Sequence, residues 1–236
     1  MARTAAIYLA HLNPMTKAHE EIIASLKAEY SVYIFPVRFV RNGKEINTKS
    51  FPFSYETRKS MVESCFGSTV NVLPDYTFEA PFIRYLPPLL SPYSWKLRNR
   101  IISKISEDKF VSYTGDRAER IALQAYRLNP VRATRLALSA SSVKEMMYNQ
   151  VTETMSTGVQ KQMGNEKEGN KATAEVRERP EGKQEFGNRN DTWYDKVPSK
   201  VASLMKENWD VVERFALAED RTIKVMGMKF PRDGFQ

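Results

Sequence analysis

With 236 residues, one cysteine and a formal net charge of +8, the chain can bury one sizeable core but can form neither an intramolecular disulfide nor a multi-cysteine metal site. It has no run of 18 apolar residues, so no membrane span is expected, and a soluble cytoplasmic protein is the plain expectation. The positive excess is local: residues 1–150 hold 21 Lys and Arg against 13 Asp and Glu, residues 156–191 hold seven of each, and residues 192–236 hold eight against seven.

Residues 4–10, TAAIYLA, form a short apolar run that reads as a buried first strand rather than as part of a signal peptide. Residues 17–30, KAHEEIIASLKAEY, read as a helix with Ile22, Ile23 and Leu26 on one face and Thr16 as its N-cap. Residues 31–37, SVYIFPV, are a second strand, ended by Pro36. Strand, helix and strand with tight connections imply a parallel pair and a right-handed crossover. Residues 38–53 read as a long basic loop, and a helix capped by Ser54 follows. A third strand is expected at 69–73, irregular chain at 74–92, and a helix at about 93–105. A fourth strand at 109–114, a helix to about residue 128, a fifth strand at 131–138 and a short helix from the SASS segment complete the alternation. The expected fold is α/β, with a doubly wound, mostly parallel five-stranded sheet over residues 1–155.

Residues 156–191 break the pattern. They carry one aromatic, Phe186, and almost no aliphatic side chains. Such a segment buries too little to offset its chain entropy, so a disordered or mobile insertion is expected. Ordered character returns at Trp193, and residues 192–236 read as a C-terminal helical extension packed on the core, with a possible edge strand at the end.

Both histidines of the chain, His11 and His19, lie at the first strand-to-helix junction. A helix N-terminus presents unpaired N–H groups and about half a positive charge, which suits a phosphate. Pro14 fixes the turn after Asn13, and His19 in the first helical turn can donate a hydrogen bond to an anion whether or not it is protonated. Alone, this reads first as a surface histidine beside a cap. A second junction, LSASSVKEMM at 138–147, places Ser139, Ser141, Ser142 and Lys144 at another helix start. Two such junctions, in the part of the chain that holds the surplus positive charge, point to a nucleotide polyphosphate.

These residues resemble the nucleotidylyltransferase superfamily, which carries an early H/T-x-G-H motif and a late I-S-x-T-x-x-R motif. The first stands here as Thr16-Lys17-Ala18-His19 and the second as Leu138-Ser139-Ala140-Ser141-Ser142-Val143-Lys144, with Ala18 in place of Gly and Lys144 in place of Arg. Within that superfamily the chain is most similar to nicotinamide-nucleotide adenylyltransferases of the archaeal and bifunctional bacterial type, through SFPFSYETRKSMVESCFG at 50–67, Trp95 in SPYSWKLRNRI, and TWYDKVPSKVASLM from Thr192.

The resemblance implies adenylyl transfer from ATP to nicotinamide mononucleotide, giving NAD and pyrophosphate. His19, Thr16 and Lys144 then form the catalytic set, and Asn13, His11, Ser139, Ser141 and Ser142 hold phosphates. Arg58, Trp95 and Asp116 bind substrate, and Mg²⁺ is carried by the nucleotide with no protein metal site. It further implies possible homo-oligomers and no membrane or nucleic-acid partner. Two alternatives stay open. One is a relative acting on another phosphate acceptor, of phosphopantetheine or cytidylyl type. The other is a binding or assembly protein that keeps the fold without turnover and takes nucleic acid.

Overall fold

The computed structural model describes residues 4–114, 117–132, 138–165 and 192–235. A five-stranded sheet forms the centre, in the spatial order β5-β2-β1-β7-β8. Its strands are β1 (Ala5–Ala10), β2 (Ser31–Pro36), β5 (Asn71–Val72), β7 (Phe110–Thr114) and β8 (Pro130–Arg132). All its neighbours pair in parallel, with Ala5 opposite Ser31 on one side of β1 and opposite Phe110 on the other. In chain order the sheet strands run 3-2-1-4-5, so the direction of winding reverses between β1 and β7. This is a Rossmann-like doubly wound α/β fold, in which the crevice beyond the carboxyl ends of the reversing strands is the natural ligand seat.

Side-chain alternation builds the two faces. On one face Ala6 and Tyr8 of β1 join Val32 and Ile34 of β2 in the larger core. That core is shared with α1 (Lys17–Glu29), α2 (Tyr55–Phe66) and α5 (Ala140–Asn165). On the other face Ala5, Ile7 and Leu9 meet Tyr33 and Phe35 under α3 (Pro92–Ile102) and α4 (Arg117–Ala125). The C-terminal helices α6 (Ser199–Glu207) and α7 (Trp209–Ala216) pack on the first face, where Val201, Met205 and Val212 are fully buried. Trp193 is the largest side chain buried there. Its indole N–H donates to Gln150 Oε1 at 2.8 Å, and its ring stacks on Tyr194 at 3.8 Å.

Three features differ from the sequence-based expectation. Residues 38–53 are not a long loop: β3 (Arg38–Arg41) and β4 (Lys44–Glu45) form a hairpin, and β6 (Thr77–Glu79) pairs in parallel with β3. Asn42 and Gly43 have φ of 52° and 75°, as a two-residue hairpin turn with the twist of its strands requires. Helix α5 runs to Asn165, past the boundary at 155. Lastly, β9 (Thr222–Val225) and β10 (Met228–Pro231) pair with each other as a separate antiparallel hairpin rather than adding an edge to the main sheet. Residues 166–191 of the expected insertion lie outside the described residues.

A third core, of Val37, Phe39, Phe51, Phe78, Phe82, Tyr85, Leu97 and Phe230, joins the small sheet to the C-terminal hairpin. It therefore fixes the chain end beside the loop that follows β4.

Candidate active site

The site grows from the chain that leaves β1. Leu12 is fully buried with φ of 49°, an uncommon left-handed conformation for a branched side chain that turns the chain sharply off the strand. Asn13 is also buried, and its side chain is committed. Nδ2 donates to the Phe53 carbonyl at 2.9 Å, and Oδ1 accepts from the Phe53 N–H at 3.1 Å. This amide, expected to hold a phosphate, instead ties residues 51–53 to the turn.

Thr16 is the N-cap of α1, and His19 is the third residue of the helix. The Thr16 N–H donates to His19 Nδ1 at 3.0 Å, and Thr16 Oγ1 lies 3.0 Å from the same nitrogen. A nitrogen that accepts a backbone N–H carries no proton, so the neutral ring keeps its proton on Nε2 and has that N–H to offer. Burial, and then the Lys144 charge, lower the His19 pKa to about 4. The ring is therefore a neutral donor across the physiological range.

Helix α5 supplies the second half. Ser139 Oγ accepts from the Ser142 N–H at 3.1 Å, and Ser142 Oγ donates to the Ser139 carbonyl at 2.8 Å. These two hydroxyls close the helix start, while Ser141 is exposed on its first turn. Lys144 reaches back across the sheet edge, and its Nζ donates to the Asn13 carbonyl at 2.7 Å. That contact spans 131 positions of sequence and joins the two junctions in space. Burial, then the nearby Lys229 charge, lower the Lys144 pKa to about 8, against a smaller opposing pull from Asp220. The ammonium thus remains mostly charged at neutral pH.

His11 stands behind this pair. Its ring stacks on Phe51 at 4.7 Å, and its Nδ1 is buried with no hydrogen-bond partner among the described residues. Burial, followed by the charges of Arg58 and Lys144, takes its pKa down to about 3. Because both histidines have folded pKa values below the unfolded 6.5, the unfolded chain binds more protons below that pH. Their contribution to stability is whole above about pH 6.5 and is lost as pH falls toward the folded values. With only two imidazoles, the proton NMR spectrum reads this directly. Neither ring is expected to titrate until near pH 4, and a midpoint near 6.5 for His19 would contradict the site as drawn.

Arg58, expected on the resemblance to hold a substrate phosphate, is instead a buried clamp, with a side chain 2% exposed. Nη1 donates to the carbonyls of His11 and Val37 at 2.9 and 2.7 Å, Nε to that of Ser54 at 3.2 Å, and Nη2 to Glu45 Oε1 at 2.8 Å. Glu45 Oε2 accepts in turn from the Tyr55 N–H at 2.8 Å, at the start of α2. One guanidinium therefore fixes the exits of β1 and β2 and the start of α2. Its role is to hold the chain around His11 in place.

Trp95 lies in the first turn of α3. Its indole N–H donates to the Leu89 carbonyl at 2.9 Å, and its ring meets Tyr126 edge-on at 5.2 Å. No described contact joins it to His19 or Lys144. Asp116 lies outside the described residues.

The cluster around β1 is mostly cationic or neutral, its acids being Glu45, paired with Arg58, and Asp220, and its donors suit phosphate oxygens better than they suit a metal ion. No group of three or more His, Cys, Asp or Glu among the described residues could hold one. Two surface concavities lie elsewhere. One, of about 490 Å³, is lined by Arg41, Asn42, Lys44, Glu45, Ile46, Asn47 and Asp233. The other, of about 580 Å³, sits between Val111, Arg120 and Pro130.

No family model matches the chain, and no curated protein does. Among solved structures it is similar to a bifunctional NMN adenylyltransferase/ADP ribose pyrophosphatase from Francisella tularensis, complexed with AMP and a Mn ion. The identity is 16% over 62% of this chain and 42% of that one, with a TM-score of 0.44. A second structure of the bifunctional enzyme from that organism gives 15% identity over 63% and 43% of the chains, at a TM-score of 0.47. Plasmodium falciparum nicotinic acid mononucleotide adenylyltransferase complexed with NaAD gives 12% over 61% and 84%, at 0.35. The chain spans less than half the length of the Francisella proteins it matches.

Proposed function

We propose that the chain is a nucleotidyltransferase that moves the adenylyl group of ATP onto the 5′-phosphate of nicotinamide mononucleotide. The observation that carries this reading is the Lys144 to Asn13 contact at 2.7 Å, which brings the ammonium of one helix start to the histidine-bearing start of another. Two helix N-termini, a neutral imidazole N–H and an ammonium converge at the carboxyl edge of the sheet, where it reverses direction. That set of donors matches a triphosphate in charge and in hydrogen-bonding type.

In the reaction a phosphate oxygen of the acceptor forms a bond to the α-phosphorus of ATP. The bond from that phosphorus to the bridging oxygen breaks, and pyrophosphate leaves with the electron pair. The attacking oxygen is already an anion, so no general base is needed. What the protein must do is position the reactants and stabilise the charge that builds on the phosphoryl oxygens. His19 donates from Nε2 to the reacting phosphate, and its Nδ1 bond to Thr16 holds the ring in place. Lys144 stabilises the departing pyrophosphate. Magnesium arrives as part of the nucleotide, which suits an ion that keeps its waters and phosphate ligands.

The choice of acceptor rests on the motif resemblance, in which Trp95 lies against the pyridine; here its indole is bonded to Leu89 and packed on Tyr126, and no described contact joins it to His19 or Lys144. In TWYDKVPSKV, by contrast, Trp193, Val197 and Val201 are core side chains and carry no information about substrate. Pyrophosphate release from MgATP, measured with nicotinamide mononucleotide and in parallel with 4′-phosphopantetheine, tests the assignment. Release with dinucleotide formation is expected for the first acceptor only. Turnover of the second acceptor alone would move the chain to another branch, and no release with either, together with salt-sensitive binding to RNA or DNA, would favour the binding-protein reading.

A further inference from the structure

We propose that the C-terminal hairpin is part of the phosphate site, and that Lys229 seats the terminal phosphates of the nucleotide beside Lys144. The inference rests on the adenylyltransferase reading and extends it to a segment that neither sequence motif includes.

The hairpin is built to hold a fixed position. Met226 and Gly227, with φ of 49° and 89°, form its two-residue turn, and Phe230 on β10 is 4% exposed. The Phe230 ring lies 5.3 Å from Phe39, 5.4 Å from Phe78 and 5.8 Å from Phe82. Just beyond, Gly234 packs so closely on the Phe82 ring that a side chain there would overlap it. Strand alternation then turns Lys229 to the opposite side from Phe230.

On that side Lys229 Nζ donates to Ser50 Oγ at 3.1 Å. Ser50 opens the wall that the rest of the site shares. The next residue, Phe51, carries the His11 ring, and Phe53 is bonded to Asn13. Tyr148, one helical turn beyond Lys144, donates to the Lys49 carbonyl at 2.8 Å. The hairpin, α5 and the turn after β1 therefore meet on residues 49–53. The Lys229 charge is felt at both His11 and Lys144, where it disfavours protonation.

Asp220 is an ion-pair partner of Lys229 at the long end of the range, and it offsets only part of that charge because the carboxylate is shared. Its carboxylate accepts from the Ser50 N–H at 3.3 Å and the Ser50 hydroxyl at 2.7 Å, while Lys229 stands 3.9 Å away. The Lys229 side chain is 52% exposed, and Ser50 occupies one of its three N–H donors. Lys144 lies on the Asn13 turn and Lys229 on Ser50, two points joined through residues 50–53, and the Lys229 charge lowers the Lys144 pKa while Asp220 opposes it; that residual repulsion is costly in an empty site and favourable around a pyrophosphate group.

The test is equilibrium binding of ATP, AMP and inorganic tripolyphosphate to the full chain, wild type against Lys229→Gln and Lys229→Arg. Lys229→Gln is expected to weaken ATP and tripolyphosphate by about tenfold, as for loss of one charged hydrogen bond, and to leave AMP within about twofold. Lys229→Arg is expected to retain most of the wild-type affinity for ATP. Unchanged ATP binding in Lys229→Gln overturns the proposal. So does an equal loss for ATP and AMP, which marks Lys229 as a tie for the hairpin alone. If the wild-type chain binds neither ATP nor tripolyphosphate, the adenylyltransferase reading falls as well, and that outcome is distinct from a failure confined to the variant.

Discussion

Replacing His19 with Ala is expected to slow pyrophosphate release by about 100-fold or more, the usual cost of removing one fixed donor to a developing oxyanion. The size of the effect follows from how the ring is held. Its Nδ1 accepts the Thr16 N–H at 3.0 Å, which fixes both the tautomer and the direction of the Nε2 proton. A pKa lowered to about 4 means that the ring acts through its N–H dipole and not through a charge. The loss should therefore fall on kcat more than on the KM for ATP, and it should be the same at pH 6 and pH 8. Steady-state release rates for the two proteins at those pH values check this. Equal rates would remove His19 from the chemistry.

Arg58→Met is expected to act on the fold instead, lowering stability by about 3–5 kcal/mol, the usual cost of breaking one side of a buried ion pair. The substitution leaves the Glu45 carboxylate and the His11, Val37 and Ser54 carbonyls without their shared donor. Nothing of comparable geometry is at hand to replace it, because the side chain is 2% exposed. Urea unfolding of the variant beside wild type measures the loss. Full stability combined with weakened nucleotide binding would restore Arg58 to the substrate-contacting role that the motif resemblance implies.

These two residues mark what could be read in the sequence. The sheet strands and their helices were legible because apolar alternation and capping residues are local signals; of the fifth strand, expected at 131–138, residues 133–137 lie outside the described residues. Ile7, Tyr33 and Phe35 face one way while Tyr8 and Ile34 face the other, as a period of two requires. His19 was legible for the same reason, since Thr16 and His19 lie within one helical turn. The fate of Arg58 was not. An arginine in a helix reads the same whether its fork meets a ligand or four groups of its own chain, and only the fold decides. Asn13 is a similar case, its amide taken up by Phe53 forty positions away.

Some of what was missed did carry a signal. Asn42-Gly43 between Phe39-Val40 and Glu45-Ile46 is a strong two-residue hairpin pattern, and it would have divided the supposed basic loop into strands. Met226-Gly227 is a weaker case, because a methionine at φ of 49° is unusual in such a turn. Lys229 had no signal at all. Its partner Ser50 lies 179 positions earlier, and its place beside Lys144 depends on the aromatic core that anchors Phe230.

The most direct test of the account is where a triphosphate sits in a crystal of the chain grown with MgATP or a non-hydrolysable analogue. The α-phosphate is expected within hydrogen-bonding distance of His19 Nε2 and the terminal phosphates beside the Lys144 ammonium. A nucleotide bound in the concavity of Arg41, Lys44 and Asp233, with His19 left facing solvent, would contradict it.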